Sequence, residues 1–156
     1  MKPSPPANAS PEEVDRALRT LYVMAGALFA GLLLFAVFVI LFPPPREPGR
    51  PASENRILHY LSVGLSGVTL ITSFLVRAQL LTREARPADP LQRIHRYRVS
   101  VLVALALNEG AVLFALVVVY LDGTAFPGLW PALASALAMY FHLPTRHALE
   151  HFLSLK

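Results

Sequence analysis

The chain has 156 residues, of which 54% are hydrophobic and only 15% are charged, and it contains no cysteine. Soluble domains carry about 25% charged residues, so the composition favours a membrane protein. The lack of cysteine excludes disulfides and thiolate metal sites. The net charge is +4 at pH 7, and because the basic residues flank apolar segments, they predict lipid headgroup contacts and no nucleic-acid partner.

The N-terminal part of the chain combines a short tail with a first membrane span. Residues 1–10 are rich in proline and predict a disordered tail. Ser10, Pro11 and Glu13 then predict a helix start in which the serine and the glutamate form a capping box. Residues 21–42 carry no charge and predict the first span. This run is too long for a cleaved signal peptide, and it ends in prolines.

Two further apolar segments, residues 57–76 and 99–121, are long enough as helices to cross about 30 Å of hydrocarbon. A fourth segment covers residues 126–143. A helix that began only at Pro131 would measure about 20 Å, so residues 126–130 are expected to continue the crossing, shielded by the other helices.

The last segment of the chain, residues 145–155, predicts a short amphipathic helix at the membrane interface. Together with the four spans, it completes one domain over residues 11–156. The predicted fold class is therefore all-α, an integral membrane four-helix bundle.

The basic residues predict which ends of the helices are cytoplasmic. Eleven of the 14 Lys and Arg residues fall in the N-terminal part, the connection over residues 77–98 and the C-terminal segment. Only Arg46, Arg50 and Arg56 fall on the other side. Under the positive-inside rule, both termini are cytoplasmic, and the protein is expected to be a multi-pass membrane protein.

Glu109 is the single charged residue of the third span and lies near its middle. A carboxylate at that depth costs about 3 kcal/mol to insert and has to face protein or water. Ser66 and Thr69 of the second span are expected at a similar depth, and Asn108 adds an amide, so these four residues form the predicted site. Two interpretations stay open: a site for a proton or a cation, or a packing contact with a helix or another subunit.

The remaining polar residues give weaker predictions. His59 and His142 fall near opposite membrane faces, which argues against a shared metal site. His147 and His151 have a spacing that can bind a metal but lack a third ligand nearby, so a solvated surface is expected. Six arginines of the second connection predict lipid headgroup contacts, or act only as topology determinants: Arg77, Arg83, Arg86, Arg93, Arg96 and Arg98.

No phosphate-binding loop, pair of catalytic carboxylates or Ser-His-Asp grouping occurs in the sequence. We therefore expect no cofactor, no metal and no enzyme activity.

Several segments of the C-terminal half form a pattern: Tyr97-Arg98, residues 106–110, Leu113-Phe114, Tyr120-Leu121 and residues 139–150. With these segments, the C-terminal half resembles a family of small uncharacterised bacterial four-span membrane proteins. In that family, an apolar third span carries an ALxEGxxLF-like pattern, and a Pro-Thr-basic stretch follows the last span. This resemblance implies the fold and a location in the bacterial inner membrane, but no activity.

A shorter stretch, residues 106–121, is similar to the ion-carrying helix of rotary ATPase proteolipids, in which a mid-membrane glutamate precedes an aliphatic run. This similarity implies a proton or cation site at Glu109. The predicted function is a non-enzymatic membrane protein, structural or accessory in a membrane complex. The alternative is a small proton- or cation-coupled carrier that uses Glu109. Expected partners are the lipid bilayer and either another membrane protein or further copies of the chain.

The predicted orientation can be tested with single cysteines, since the chain has none of its own. Cysteines introduced at Ala7, Ala88 and Ser154 are expected to resist a membrane-impermeant thiol reagent in intact cells, because these positions are cytoplasmic. A cysteine at Ser53 is expected to react. Labelling at Ala88 without labelling at Ser53 would contradict the orientation.

Overall fold

The computed structural model describes residues 10–44, 56–82, 89–122 and 128–154, and no strand occurs in these ranges. Five helices follow one another: α1 (Pro11–Leu41), α2 (Arg56–Thr82), α3 (Pro90–Asp122), α4 (Leu129–Phe141) and α5 (Arg146–Ser154). The all-α prediction is confirmed. The tail over residues 1–9 and the middle of each long connection lie outside the described ranges.

Helix α1 begins at the capping box predicted from the sequence. The Ser10 hydroxyl accepts a hydrogen bond from the Glu13 backbone N–H at 3.2 Å, and the Glu13 carboxylate accepts one from the Ser10 N–H at 2.8 Å. Pro11 occupies the first helical position, where its missing N–H costs no hydrogen bond. The predicted helix start is therefore confirmed.

Three helices are long and apolar enough to cross a membrane: Pro11–Leu41, Arg56–Thr82 and Leu91–Asp122 within α3. In the most apolar stretch of α1 and of α2 only 17% of the residues are buried, against 50% in α3. The outer surfaces of α1 and α2 are apolar, with Leu34 71% and Val68 62% exposed. Extended apolar surfaces of this kind mark contact with a membrane. The larger buried share of α3 identifies it as the central helix.

Helix α3 packs against each of the other four helices. Tyr97, Val101 and Leu105 lie on its core side and are at most 1% exposed. Helix α2 packs along α3 and also contacts α4, whereas α1 packs mainly on α3, where Phe38 stacks on Tyr120 with ring centroids 6.0 Å apart. The position of a side chain around α3 therefore decides which helix it can meet.

Helix α4 has 13 residues, which is about 20 Å and shorter than roughly 30 Å of hydrocarbon. It begins at Leu129, so Pro131 lies in the first turn, where a backbone nitrogen has no partner within the helix. Of the residues expected to continue the crossing, Leu129 and Trp130 are helical, and Leu129 packs on the core. Residues 126–127 lie outside the described ranges.

Just before α4, Gly128 brings the chain into close contact with α2 and α3. A Cβ atom at this position would lie 2.6 Å from the Val119 Cγ2 atom and 3.3 Å from the His59 Cε1 atom. The first distance is too short for a real contact, so a side chain here would force either the Val119 side chain or the start of α4 to shift.

Helix α5 folds back on the first turns of α1 and α3. Phe152 is buried, and its ring lies 6.1 Å from the ring of Tyr97. On the exposed side of α5, the Arg146 guanidinium lies 3.5 Å from the Asp15 carboxylate of α1. The amphipathic helix predicted for residues 145–155 is present, and its apolar face packs on protein.

Replacing Leu105 with alanine is expected to destabilise the chain by about 1–3 kcal/mol. The cost comes from the packing contacts that are lost around the cavity left by the substitution. The free energy of transferring leucine atoms out of water, which adds to the cost in soluble proteins, contributes little here, because lipid is as apolar as leucine. The matched variant Leu34→Ala, on the exposed face of α1, is expected to change stability by less than about 0.5 kcal/mol. Reversible unfolding in detergent measures both, and equal effects would contradict the central position of α3.

Candidate functional site

Glu109 lies on α3 at the edge of the packed helices, and its side chain is partly exposed. It precedes Tyr120 by about three turns, so both side chains lie on the strip of α3 that borders α1, where Tyr120 stacks on Phe38. Ala106 and Gly110 are exposed on the adjoining strip, and a Cβ atom on Gly110 would meet nothing within 4 Å. Glu109 therefore borders an open apolar face beside α1.

Among the described residues, no group forms a hydrogen bond or an ion pair with Glu109. The expected bonds from Ser66 or Thr69 are not formed: both are buried on α2, and the Thr69 hydroxyl donates to the Ser66 carbonyl oxygen at 3.2 Å. Asn108 is fully buried, and its side-chain N–H donates to the Ala104 carbonyl oxygen at 2.9 Å. Glu109 thus forms no hydrogen bond with the other three residues of the predicted site.

A row of buried polar side chains follows the contacts between α2, α3 and α4. On α2 they recur at spacings of four, three and four residues, which places them on one face. Because lipid offers no hydrogen bonds, their polar atoms need partners within the protein. We call the following eight residues, each at most 9% exposed, the polar seam: Ser62, Ser66, Thr69, Ser73, Ser100, Asn108, Ser135 and His142.

At one end of the polar seam, His142 connects α2 to the C-terminal end of α4. An Arg77 guanidinium nitrogen lies 3.0 Å from His142 Nδ1, and Ser73 Oγ lies 3.0 Å from His142 Nε2. Since arginine can only donate, Nδ1 accepts, and Nε2 donates to Ser73. The Ser73 hydroxyl in turn donates to the Leu70 carbonyl oxygen at 2.8 Å. This chain of bonds fixes one neutral tautomer of the imidazole.

At the other end of α2, His59 Nε2 lies 3.1 Å from the Asp122 carboxylate, and the two side chains are only 17% and 14% exposed. His59 belongs to the first turn of α2, and Asp122 is the last residue of α3. A hydrogen bond to a carboxylate is stronger than a neutral one, so this pair ties the two helix ends together. His59 and His142 lie at opposite ends of α2, consistent with the sequence prediction that they do not share a site.

The partners of these two histidines were not predicted from the sequence, although the sequence carries a signal for the contact between α2 and α4. Residues that recur every seven positions stay on one strip of two packed helices. Two such sets occur: His59, Ser66 and Ser73 on α2, and Gly128, Ser135 and His142 along α4 and its flanks.

The arginines predicted to contact lipid headgroups occupy different positions. Arg77 bonds to His142, and Arg93 donates from its guanidinium to the Leu153 carbonyl oxygen of α5 at 3.2 Å. Of the other four, Arg96 and Arg98 are partly exposed, and Arg83 and Arg86 lie outside the described ranges. At least two of the six therefore also connect helices within the protein.

The histidines of α5 lie on its exposed side, where the rings of His147 and His151 stack with centroids 6.4 Å apart. Within the ranges that the structure describes, no group of three His, Cys, Asp or Glu side chains is placed to hold a metal ion.

No protein-family model, curated protein or solved structure matches the chain. The resemblances of the third span to four-span bacterial membrane proteins and to rotary proteolipids therefore stay predictions. Function has to be inferred from the position of the polar residues in a protein whose outer surface is apolar.

The variant His142→Ala is expected to lower stability by about 2–3 kcal/mol, because Arg77 and Ser73 each lose a partner at a buried position. The matched control is His95→Ala, at an exposed position of α3, with a change below about 0.5 kcal/mol. Unfolding in detergent measures both effects. In the natural chain, ¹⁵N NMR at pH 7 is expected to show a proton on His142 Nε2 and none on Nδ1; a doubly protonated ring would contradict the bonding pattern.

Proposed function

We propose that the chain is a non-enzymatic integral membrane protein that acts as a structural or accessory component of a membrane complex. The observation that carries this proposal concerns Glu109, an ionisable side chain in the middle of α3. It forms no hydrogen bond or ion pair with any described group of its own chain. Such residues in membrane proteins face protein or water, because exposure of the carboxylate to lipid is costly. A partner helix beside α3 would supply the contact.

The surface next to Glu109 suits such a helix. Ala106 and Gly110 are small, exposed and one turn apart, and small residues at this spacing allow two helix backbones to approach closely. Leu113 and Val117 continue the same strip and are 37% and 39% exposed. A helix in this position would cover the apolar strip and reach Glu109 at the same time.

We expect the partner to be a different membrane protein. A symmetric contact of two copies centred on this face would bring two Glu109 carboxyl groups together, an arrangement that two carboxylates disfavour unless one of them takes up a proton. A partner helix that carries a donor side chain, such as asparagine, lysine or arginine, at the same depth would satisfy the carboxyl group. This complementarity favours a heteromeric complex.

A four-helix bundle with both termini on one side is part of the proposal. Phe38 and Tyr120 meet near the C-terminal ends of α1 and α3, whereas Arg146 of α5 lies 3.5 Å from Asp15 in the first turns of α1. These contacts support a return of the chain along α4, after Asp122, that brings α5 back to the start of α1. The basic residues favour the cytoplasmic side of the bacterial inner membrane for both termini.

The second candidate is a small proton- or cation-coupled carrier, similar to a proteolipid, in which Glu109 holds the ion. The same unpaired carboxyl group favours it, since an ion-binding group has to be reachable from outside its own helix contacts. The Thr69 hydroxyl and the Asn108 side-chain N–H bond within their own helices, and the Ser66 hydroxyl bonds to no described group. Additional ion ligands would therefore come from another subunit.

Co-purification from native membranes in mild detergent tests the accessory role. Glu109→Leu is expected to reduce the recovery of the partner about fivefold, because an interhelical hydrogen bond in a membrane contributes about 1 kcal/mol. Glu109→Gln keeps the shape and the hydrogen-bonding capacity and is expected to retain most of the partner. Retention of the partner by both variants would contradict the role of Glu109 in assembly.

A steric pair of variants checks the same face independently. Gly110→Leu is expected to block the partner helix, whereas Gly64→Leu on the exposed side of α2 is the matched control. A Cβ atom at either glycine meets nothing within 4 Å, so both variants should fold alike. Loss of the partner with both variants, or with neither, would contradict docking at Glu109.

The carrier predicts a different set of results. In that case Glu109→Gln assembles normally, but ion- or pH-dependent transport in proteoliposomes disappears. A homo-oligomer without stoichiometric partners, together with that loss of transport, would favour the carrier over the accessory component.

A further inference from the structure

We propose that the polar seam contains a binding site for one ordered water molecule, held by Ser66 of α2, Asn108 of α3 and Ser135 of α4. These side chains are 5%, 0% and 0% exposed. Ser66 Oγ, Asn108 Oδ1 and Ser135 Oγ form no hydrogen bond with any group that the structure describes, although buried polar atoms in proteins are nearly always paired. The site lies away from Glu109 and does not depend on the proposed function.

The contact between α2 and α4 is fixed in register at both of its ends. At one end Gly128 lies against the His59 ring, where an added Cβ atom would be 3.3 Å away. At the other end His142 bonds to Ser73 at 3.0 Å. Each end thus pairs a residue of α2 with the residue 69 positions further along the chain, and the two helices run in the same direction.

Ser66 and Ser135 occupy the midpoint of this contact. Each is seven residues, or about two helical turns, from both end contacts on its own helix. Because the register is the same at the two ends, the two serines lie at the same height on the facing strips of α2 and α4. Their hydroxyl groups nevertheless do not bond to each other.

Asn108 reaches this height from α3. It lies between Tyr97 and Asp122, both of which meet α2: Tyr97 lies beside an arginine of α2, and Asp122 bonds to its first turn. About three turns separate Asn108 from Tyr97 and about four from Asp122, so all three share one strip. Counted at equal rise along the two helices, the first contact places Asn108 level with Ser66 and the second places it level with Ser73, so Asn108 lies beside the stretch of α2 that begins at Ser66.

The three free groups match the hydrogen-bonding pattern of one water molecule. The Asn108 side-chain N–H already donates to Ala104, so the amide oxygen needs a donor, while the two serine hydroxyls need acceptors. A water molecule accepts from Ser66 and Ser135 and donates to Asn108, which gives the three bonds typical of a buried water. Ser62 Oγ, one turn from Ser66 and also unpaired, is placed to accept its second proton.

Water suits these groups better than a metal cation does. A cation would occupy the oxygen lone pairs and leave two hydroxyl protons without acceptors in an apolar interior, which is costly. The seam contributes no carboxylate to this site, and the Arg77 guanidinium stands at its His142 end. A fixed positive charge at the end of a polar path disfavours a cation but leaves a neutral molecule unaffected.

The test is magnetisation transfer from water to protein, measured by solid-state NMR on the full chain in lipid bilayers. Transfer to the side chains of Asn108, Ser66 and Ser135 is expected to build up several-fold faster than transfer to the backbone N–H of Val101 and Val118, which are equally buried. Uniformly slow transfer at the three polar side chains would overturn the proposal.

Two variants sharpen the result. Ser135→Ala removes one ligand and is expected to slow the transfer to Asn108 and Ser66. Ser100→Ala is the matched control, because this buried serine donates to the Tyr97 carbonyl oxygen of its own helix at 2.8 Å and should leave the transfer unchanged. If Ser135→Ala fails to fold, the measurement on the natural chain decides alone.

Two other outcomes would also overturn the proposal. One is a direct hydrogen bond between Ser66 and Ser135, seen as a scalar or dipolar contact between the hydroxyls without a water signal. The other is a shift of the Asn108 side-chain resonance on titration with NaCl but not with choline chloride, which would assign the site to a cation.

Discussion

Helices in a bilayer gain little from apolar contact alone, because lipid chains are as apolar as leucine, whereas their polar side chains find hydrogen bonds only within the protein. The arrangement of α2, α3 and α4 depends on this constraint. Polar contacts occur at both ends of α2: Asp122 of α3 bonds to His59, and His142 beside α4 bonds to Ser73 and Arg77. The polar contacts at the two ends fix the alignment of the helices, and the side chains between them pack in that alignment.

The constraint applies with most force to α4. With 13 residues it has few side chains to bury, and the residue before it approaches α2 and α3 so closely that only glycine fits. One interhelical hydrogen bond in a membrane contributes about 0.6–2 kcal/mol. The bonds of His142, together with the proposed water at Ser135, would therefore supply a substantial part of what holds α4 on α2.

Glu109 and Asn108 show that neighbouring polar residues of one helix can serve different purposes. Asn108 lies on the buried side of α3 and contributes to the fold, whereas Glu109 lies one position further round, at the edge beside α1. The helix is apolar on every side near these residues, so its periodicity does not reveal which side meets the other helices. This is why the sequence grouped Glu109 with Ser66 and Thr69, whereas no hydrogen bond joins Glu109 to either residue in the structure.

Local features were predictable and long-range partners were not. The capping box of Ser10 and Glu13 depends on residues three apart, and it is present as predicted. Helices α2 and α3 extend beyond their predicted spans, which were drawn at the limits of the apolar segments. Polar and basic residues can continue a helical backbone past those limits, although they are not compatible with lipid. The bond between Ser73 and His142 depends on which faces of two helices meet. Hydropathy carries no information about these faces, whereas the seven-residue spacing of residues on α2 and along α4 does.

The difference in length between α1 and α4 has a consequence for the surrounding lipid. Helix α1 has 31 residues, whereas α4 exposes Trp130, Leu133 and Phe141 over only 13. In the proposed four-helix bundle, lipids beside α4 would have to tilt or shorten to match it, at a cost of fractions of a kcal/mol per Å of mismatch. The protein would therefore be accommodated most easily in thin regions of a bilayer, and any thickening of the membrane would strain it on one side only.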